Sequence, residues 1–125
     1  MLTHNEIKCT SLKLSIKIKE AGYKQKGIWW WCRLTQEFRL LEFDKVKNLN
    51  REKYVAPTCA EWGEALKDKD EYKYFLWGYH LPKRDCFDLV LETADRKKIL
   101  WETRAIIEAD CRARMWLFLN EKGLL

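Results

Sequence analysis

Three consecutive tryptophans lie inside the run Gly27-Ile28-Trp29-Trp30-Trp31-Cys32-Arg33-Leu34, and after only Thr35-Gln36 comes a second apolar run, Glu37-Phe38-Arg39-Leu40-Leu41-Glu42-Phe43. Aromatic-rich runs this short, separated by two polar residues, read as a β-hairpin, because rings and branched side chains suit a pleated, half-buried surface. Thr-Gln is not a favoured two-residue turn, so a longer loop stays open. Strand alternation sends Ile28, Trp30, Cys32 and Leu34 to one side and Trp29, Trp31 and Arg33 to the other, which makes both faces partly apolar. Seven Trp, five Tyr and five Phe in 125 residues exclude disorder, since each large ring can bury ~150–250 Å². A chain of this length makes its own core as one domain, 1–125.

The flanking segments read as helices and further strands. Leu12, Leu14, Ile16 and Ile18 alternate like a strand, but Glu20-Ala21-Gly22-Tyr23 ends like a helix, with Gly22 at C′, Tyr23 packing back on Ile18, and Ser11 as N-cap. The expectation is a helix over 11–21 with Leu14, Ile18 and Ala21 inward, Lys13 and Lys17 on another face, and Ile16 in the core. Residues 44–55 read as a basic, polar loop. Thr58 with Glu61 three residues later forms a capping box, opening a helix from 59 to about 67 with Cys59, Trp62 and Leu66 inward. Lys67-Asp68-Lys69-Asp70 reads as a loop, and the aromatics of 72–79 favour a strand over a short helix, broken by 81–84. Phe87, Leu89 and Leu91 alternate inward on a strand, a polar turn spans 93–96, and 97–102 completes a second hairpin. Ile107, Cys111, Met115 and Phe118 share one face of a helix from 107 to 122, closed by Gly123 and Leu124 in a Schellman motif that seats Leu124 near Leu119. Together these predict an α+β fold, an antiparallel sheet of four to five strands with two to three helices packed mainly on one face.

Charge and cysteine usage narrow the function classes. The net charge of +5 is N-terminal: residues 1–53 hold 12 Lys+Arg against 6 Asp+Glu, and residues 54–125 hold 12 against 13. A modest basic face attracts an acidic partner or nucleic acid, although surface lysines also serve solubility alone. The N-terminus is polar and no apolar run nears the ~20 residues that cross a bilayer, so neither a signal peptide nor a membrane span is expected. Cys9, Cys32, Cys59, Cys86 and Cys111 are odd in number, 23 to 27 residues apart and without CxxC, which fits buried, reduced thiols in a cytosol.

Catalytic and metal-binding patterns are not found. His4 and His80 have no partner at sequence level, and the paired acids Asp68 with Asp70 and Asp85 with Asp88 read as solvated loop charges. No phosphate-cradling Gly-rich loop, nucleophile elbow or zinc spacing occurs. The expectation is therefore no catalytic residue, no metal and no cofactor; binding is the better class. Trp29 and Trp31, with Arg33 alongside and Lys13, Lys17, Lys24 and Lys26 as candidate neighbours, combine stacking rings and cations as single-stranded nucleic-acid binders do. The same residues suit a protein partner, and tryptophans on a central strand more often serve a core.

Several pieces in order resemble a family of short phage- and prophage-encoded proteins: Lys19-Glu20-Ala21-Gly22-Tyr23 with Gln25, the aromatic strand 28–32, Ala56-Pro57-Thr58 opening a helix, and Ala113-Arg114-Met115-Trp116-Leu117 leading to Glu121-Lys122-Gly123-Leu124-Leu125. The chain departs from that pattern over roughly 67–80. The resemblance implies a helical first segment, and it brings no catalytic residue. It implies a context in the host cytosol: a non-enzymatic accessory protein that binds and inhibits a host protein, such as a nucleic-acid-processing defence effector. Anti-CRISPR inhibitors of RNA-guided nucleases come from that pool. Direct binding of RNA or single-stranded DNA, and a virion-assembly role, are the alternatives. If Trp29 and Trp31 form an exposed binding face, replacing both with Ala abolishes partner binding and leaves thermal stability nearly intact; a collapse of the melting temperature instead assigns both rings to the core.

Overall fold

The computed structural model describes residues 2–66, 74–81 and 86–124. Along the chain come α1 (His4–Lys8), α2 (Leu12–Glu20), β1 (Trp29–Leu34), β2 (Glu37–Glu42), α3 (Phe43–Val46), β3 (Lys53–Val55), α4 (Cys59–Ala65), β4 (Tyr74–Leu81), β5 (Cys86–Thr93), β6 (Ile99–Ala105) and α5 (Glu108–Glu121). The class is α+β, as expected, but the single sheet of four to five strands is replaced by two antiparallel three-stranded sheets, ordered β2-β1-β3 and β4-β5-β6. Each hairpin seeds its own sheet and recruits one further strand. For the first sheet that strand is β3, inside the stretch read as a loop, where Tyr54 and Val55 pair with Trp31 and Trp30. Three residues are too few to show periodicity; β3 is held by β1 and by the Gln25 side chain, whose Oε1 accepts the Val55 N–H at 3.0 Å.

Five helices replace the expected two to three among the described residues. The two additions are short. α1 is opened by a Thr3–Glu6 capping box, the same signal that Thr58 and Glu61 supply to α4, and α3 is a single turn after β2. They are not packed on one face of one sheet, either. Val46 of α3 joins Trp30, Cys32 and Val55 in a small core against the first sheet, whereas α5 covers the second sheet through a larger core with Leu14, Ile18, Trp62, Phe87, Leu89, Leu91, Met115 and Trp116. The charged run 67–70, the break at 82–84 and Asp85 lie outside the described residues. Leu81 closes β4 as its last residue.

Both helix endings follow the expected chemistry. Gly22 (φ 94°) and Gly123 (φ 68°) take the left-handed conformation that glycine adopts without strain. Tyr23 N–H then reaches Ile18 O at 2.8 Å, and Leu124 N–H reaches Leu119 O at 2.8 Å, the long bond of a Schellman motif at each end. The first motif delivers the Tyr23 ring onto Trp62 and Trp116, at centroid separations of 4.9 and 5.2 Å. Ser11 occupies the N-cap position of α2, but its side chain makes no capping bond; its backbone N–H goes instead to Asp110 Oδ1 at 2.6 Å. Burial holds the Asp110 carboxyl above its ordinary pKa. Ile16, expected in the core, is only half-buried.

The two-residue Thr35-Gln36 turn is real, with Leu34 opposite Glu37, although Thr35 sits at φ 54°, costly for a β-branched residue. At the centre of the molecule, fully buried Thr10 joins both halves. Its Oγ1 accepts Trp62 Nε1–H and donates to Pro57 O, each at 2.8 Å, while its carbonyl accepts Trp31 Nε1–H at 2.9 Å. Thr10→Val keeps the shape, and the Thr10 N–H still reaches Pro57 O, but the buried Trp62 N–H loses its acceptor, so the change should destabilise by about 1–3 kcal/mol. Thr10→Ser, which keeps the hydroxyl, should recover most of that loss in urea unfolding.

Candidate partner-binding surface

The residues singled out in the sequence divide between two places. Lys13 and Lys17 are exposed on α2, and at 100° per residue Lys17 lies about 160° around the helix from Lys19. Lys19 is the lysine that meets the first sheet, its ammonium 5.0 Å from the Tyr54 ring centre. The helix therefore turns Lys13 and Lys17 away from Trp29 and Trp31. Lys24 and Lys26 are exposed on the turn entering β1.

Trp29 and Trp31 are half-buried beside exposed Arg33. Strand register places Leu40 and Tyr54 beside Trp31, and Phe38 beside Arg33. Arg33 lies 4.7 Å over the Phe38 ring and pairs with Glu52 at 3.0 Å; Glu52 also accepts the Tyr54 hydroxyl. These bonds push Glu52 below the usual carboxylate range, the Tyr54 bond first, and raise Tyr54. Cations, rings and carboxylate on this face thus satisfy one another, and Trp31 is tethered to Thr10.

The second sheet presents a different surface, which the sequence reading missed. Phe87, Leu89 and Leu91 point toward α5, so the pleat sends Asp88, Val90 and Glu92 to the opposite face. Register sets Tyr79, Asp88 and Arg104 in one row and Trp77, Val90 and Glu102 in the next. Asp88 is not a solvated loop acid. It is 2% exposed and accepts from the Tyr79 hydroxyl at 2.9 Å and from Arg104 Nη2 at 3.0 Å. Trp77 Nε1–H donates to Glu92 at 2.6 Å, a diagonal cross-strand pair. The rings above these bonds stack on each other, centroids 5.1 Å apart with planes 22° apart, and stay 36% and 37% exposed. The Asp88 bond raises the Tyr79 pKa, with Glu102 adding to it from nearby. Gly78 between them is fixed by crowding, since a Cβ would come 2.5 Å from the Phe87 ring.

Among the described residues, the polar chemistry of this face consists of these hydrogen bonds and the Asp88–Arg104 ion pair. Nucleophilic thiol chemistry has little support: burial pushes Cys9 and Cys111 up to about 12 and Cys59 up to about 11, which leaves little thiolate at neutral pH. Four of the five cysteines are buried and all are free. No group of three or more metal-ligating side chains occurs among the described residues, and none of their helices is long and apolar enough to cross a membrane. No protein-family model matches the chain, and comparisons with curated proteins and with solved structures yield no match.

The alternation at Phe87, Leu89 and Leu91 already assigned Asp88 and Glu92 to the outer face. What could not be read was that Trp77 and Tyr79 lie across from them. Arg104→Met leaves the buried Asp88 carboxylate with one charge-bearing donor fewer. A charge-assisted bond of this kind is worth more than a neutral one, discounted because Arg104 is 45% exposed. A lower midpoint is expected in chemical denaturation, a larger shift than for Arg39→Met, which breaks a pair 65% exposed on both sides.

Proposed function

We propose that this chain is a non-enzymatic recognition protein that binds a partner protein through the outer face of its second sheet. The observation that carries the reading is the Trp77–Tyr79 stack: two large rings held in the open by hydrogen bonds to buried carboxylates. Exposed tryptophan and tyrosine on a rigid sheet are the side chains that anchor protein interfaces, because they lose little conformational entropy on binding. In the setting implied by the sequence resemblance, the partner is a host protein in the cytosol, such as a nucleic-acid-processing defence effector, and binding inhibits it in the manner of anti-CRISPR proteins.

Direct binding of single-stranded nucleic acid is the second reading, favoured by Lys19 of α2 lying over Tyr54, and by Arg33 over Phe38, on the first sheet. A gel shift with random RNA or DNA at two salt concentrations separates the two, since phosphate-driven binding falls steeply with salt. For the preferred reading, wild-type chain and the Trp77→Leu/Tyr79→Leu variant are compared as bait in host lysate, with Lys13→Ala/Lys17→Ala as control. Capture should fall at least about tenfold for the first variant only, equivalent to about 1.4 kcal/mol. Equal capture by all three would remove this face from the interface.

A further inference from the structure

The outer face adjoins an unusual strand edge. β4 is the terminal strand of its sheet, and among the described residues no strand pairs beyond it. Native edges are blunted by charge, proline, bulges or shortness. β4 runs eight residues, Tyr74–Leu81, without one Lys, Arg, Asp, Glu or Pro. The other three edges each carry such protection. β6 has Glu102 and Arg104, and its pairing with β5 shifts register at Leu91/Glu92. β2 has Glu37, Arg39 and Glu42. β3 is three residues long, and Gln25 already takes its Val55 N–H. Among the described strands, β4 is thus the edge left able to accept a further strand.

The charge beside that edge selects the occupant. Among the described residues of this face, Asp88 pairs with Arg104, and Glu92 and Glu102 add two further carboxylates, within a chain of net charge +5. Each ring donates its polar hydrogen to a carboxylate. Donation of that kind shifts electron density into the ring and strengthens its attraction for a cation. Among cations, a planar guanidinium can extend a ring stack, whereas an ammonium acts as a point charge.

Resting on the reading that this face is the interface, we infer that its occupant is an extended, arginine-bearing segment of the partner protein. That segment adds as a strand along β4, and its alternate side chains lay guanidinium groups on Trp77 and Tyr79. A second copy of the chain fits less well, because it would bring the same carboxylates toward the seam.

The test uses the full chain and a fluorescein-labelled eight-residue peptide alternating Arg and Thr. Its control is the same peptide with citrulline, which keeps the planar shape of arginine without its charge. Fluorescence anisotropy should show the citrulline peptide binding at least about tenfold more weakly. Trp77→Leu/Tyr79→Leu and Glu92→Gln/Glu102→Gln should each weaken the arginine peptide about three- to thirtyfold, with melting temperatures confirming that both variants fold. Equal affinity for the two peptides, or binding indifferent to Trp77 and Tyr79, overturns the inference. So does a dimer in light scattering that Trp77→Leu/Tyr79→Leu dissolves, which would assign the edge to self-pairing. If the peptide fails but lysate capture still depends on Trp77 and Tyr79, the face stands as an interface and only its basic occupant falls.

Discussion

Thr10 is the point through which the two halves of the molecule are held in register. Buried polar groups cost free energy unless they are paired, and pairing inside a protein is electrostatically stronger than in water. Thr10 concentrates this effect: its hydroxyl and carbonyl together take the indole N–H groups of Trp62, from the larger core, and Trp31, from the first sheet. Its own backbone N–H and hydroxyl both turn to Pro57 O. One residue therefore fixes the N-terminal segment, the start of α4 and the middle of β1 relative to one another. Neither indole can rotate outward without leaving a buried carbonyl or hydroxyl short of a partner.

From that junction the rest is positioned by α2 and α5. The backbone N–H of Ser11, at the start of α2, meets Asp110 in the first turn of α5, and Asn120 near the end of α5 donates to Ala21 O at the end of α2. Start meets start and end meets end, so the two helices run parallel, clamped at both termini. Such a clamp leaves little freedom to slide, and the Schellman turn at Gly22 uses that fixed end to insert Tyr23 between Trp62 and Trp116. α5 in turn lies on β5 and β6, with Cys111 Sγ against the Thr103 and Phe87 carbonyls. The outer face of the second sheet thus inherits its rigidity from contacts on the opposite face.

What was legible in the sequence follows the range of the interaction that decides it. Caps and closures are local: Thr58 with Glu61, Gly22 with Tyr23, and Gly123 with Leu124 each act within five residues and came out as expected. The Thr3–Glu6 box is just as local, although the terminus reads at first sight only as polar. Hairpins are legible because alternation and a short polar gap suffice to define them. The division into two sheets is not, because it depends on whether β3 or a strand of the other hairpin pairs beside β1, and β3 has no pattern of its own. Asp88 makes the same point chemically. Its carboxylate is accommodated in the sheet by Tyr79 and Arg104, which arrive from the two neighbouring strands, 9 and 16 residues away in the chain. No local signal announces such a partner. Strand alternation beside Arg33 singles out Trp29 and Trp31, but in such a pattern rings in the core and rings at an interface look alike.

The polar arrangement on the second sheet is not what stability alone would select. Val90 occupies the middle of the outer face of β5 and is 2% exposed, so an aliphatic residue is accommodated between the two acids. Replacing buried ionic groups by well-packed apolar residues is often neutral or stabilising, because their desolvation consumes most of what pairing returns. Asp88 and Glu92 do something that valine could not. By taking the Tyr79 O–H and the Trp77 N–H, they fix the polar edge of each ring to the sheet and leave the stacked pair partly exposed. A valine floor would invite the same rings to lie flat and bury themselves. The carboxylates therefore convert two large hydrophobic side chains from core material into a displayed, oriented surface, which is the property that recognition requires and folding does not.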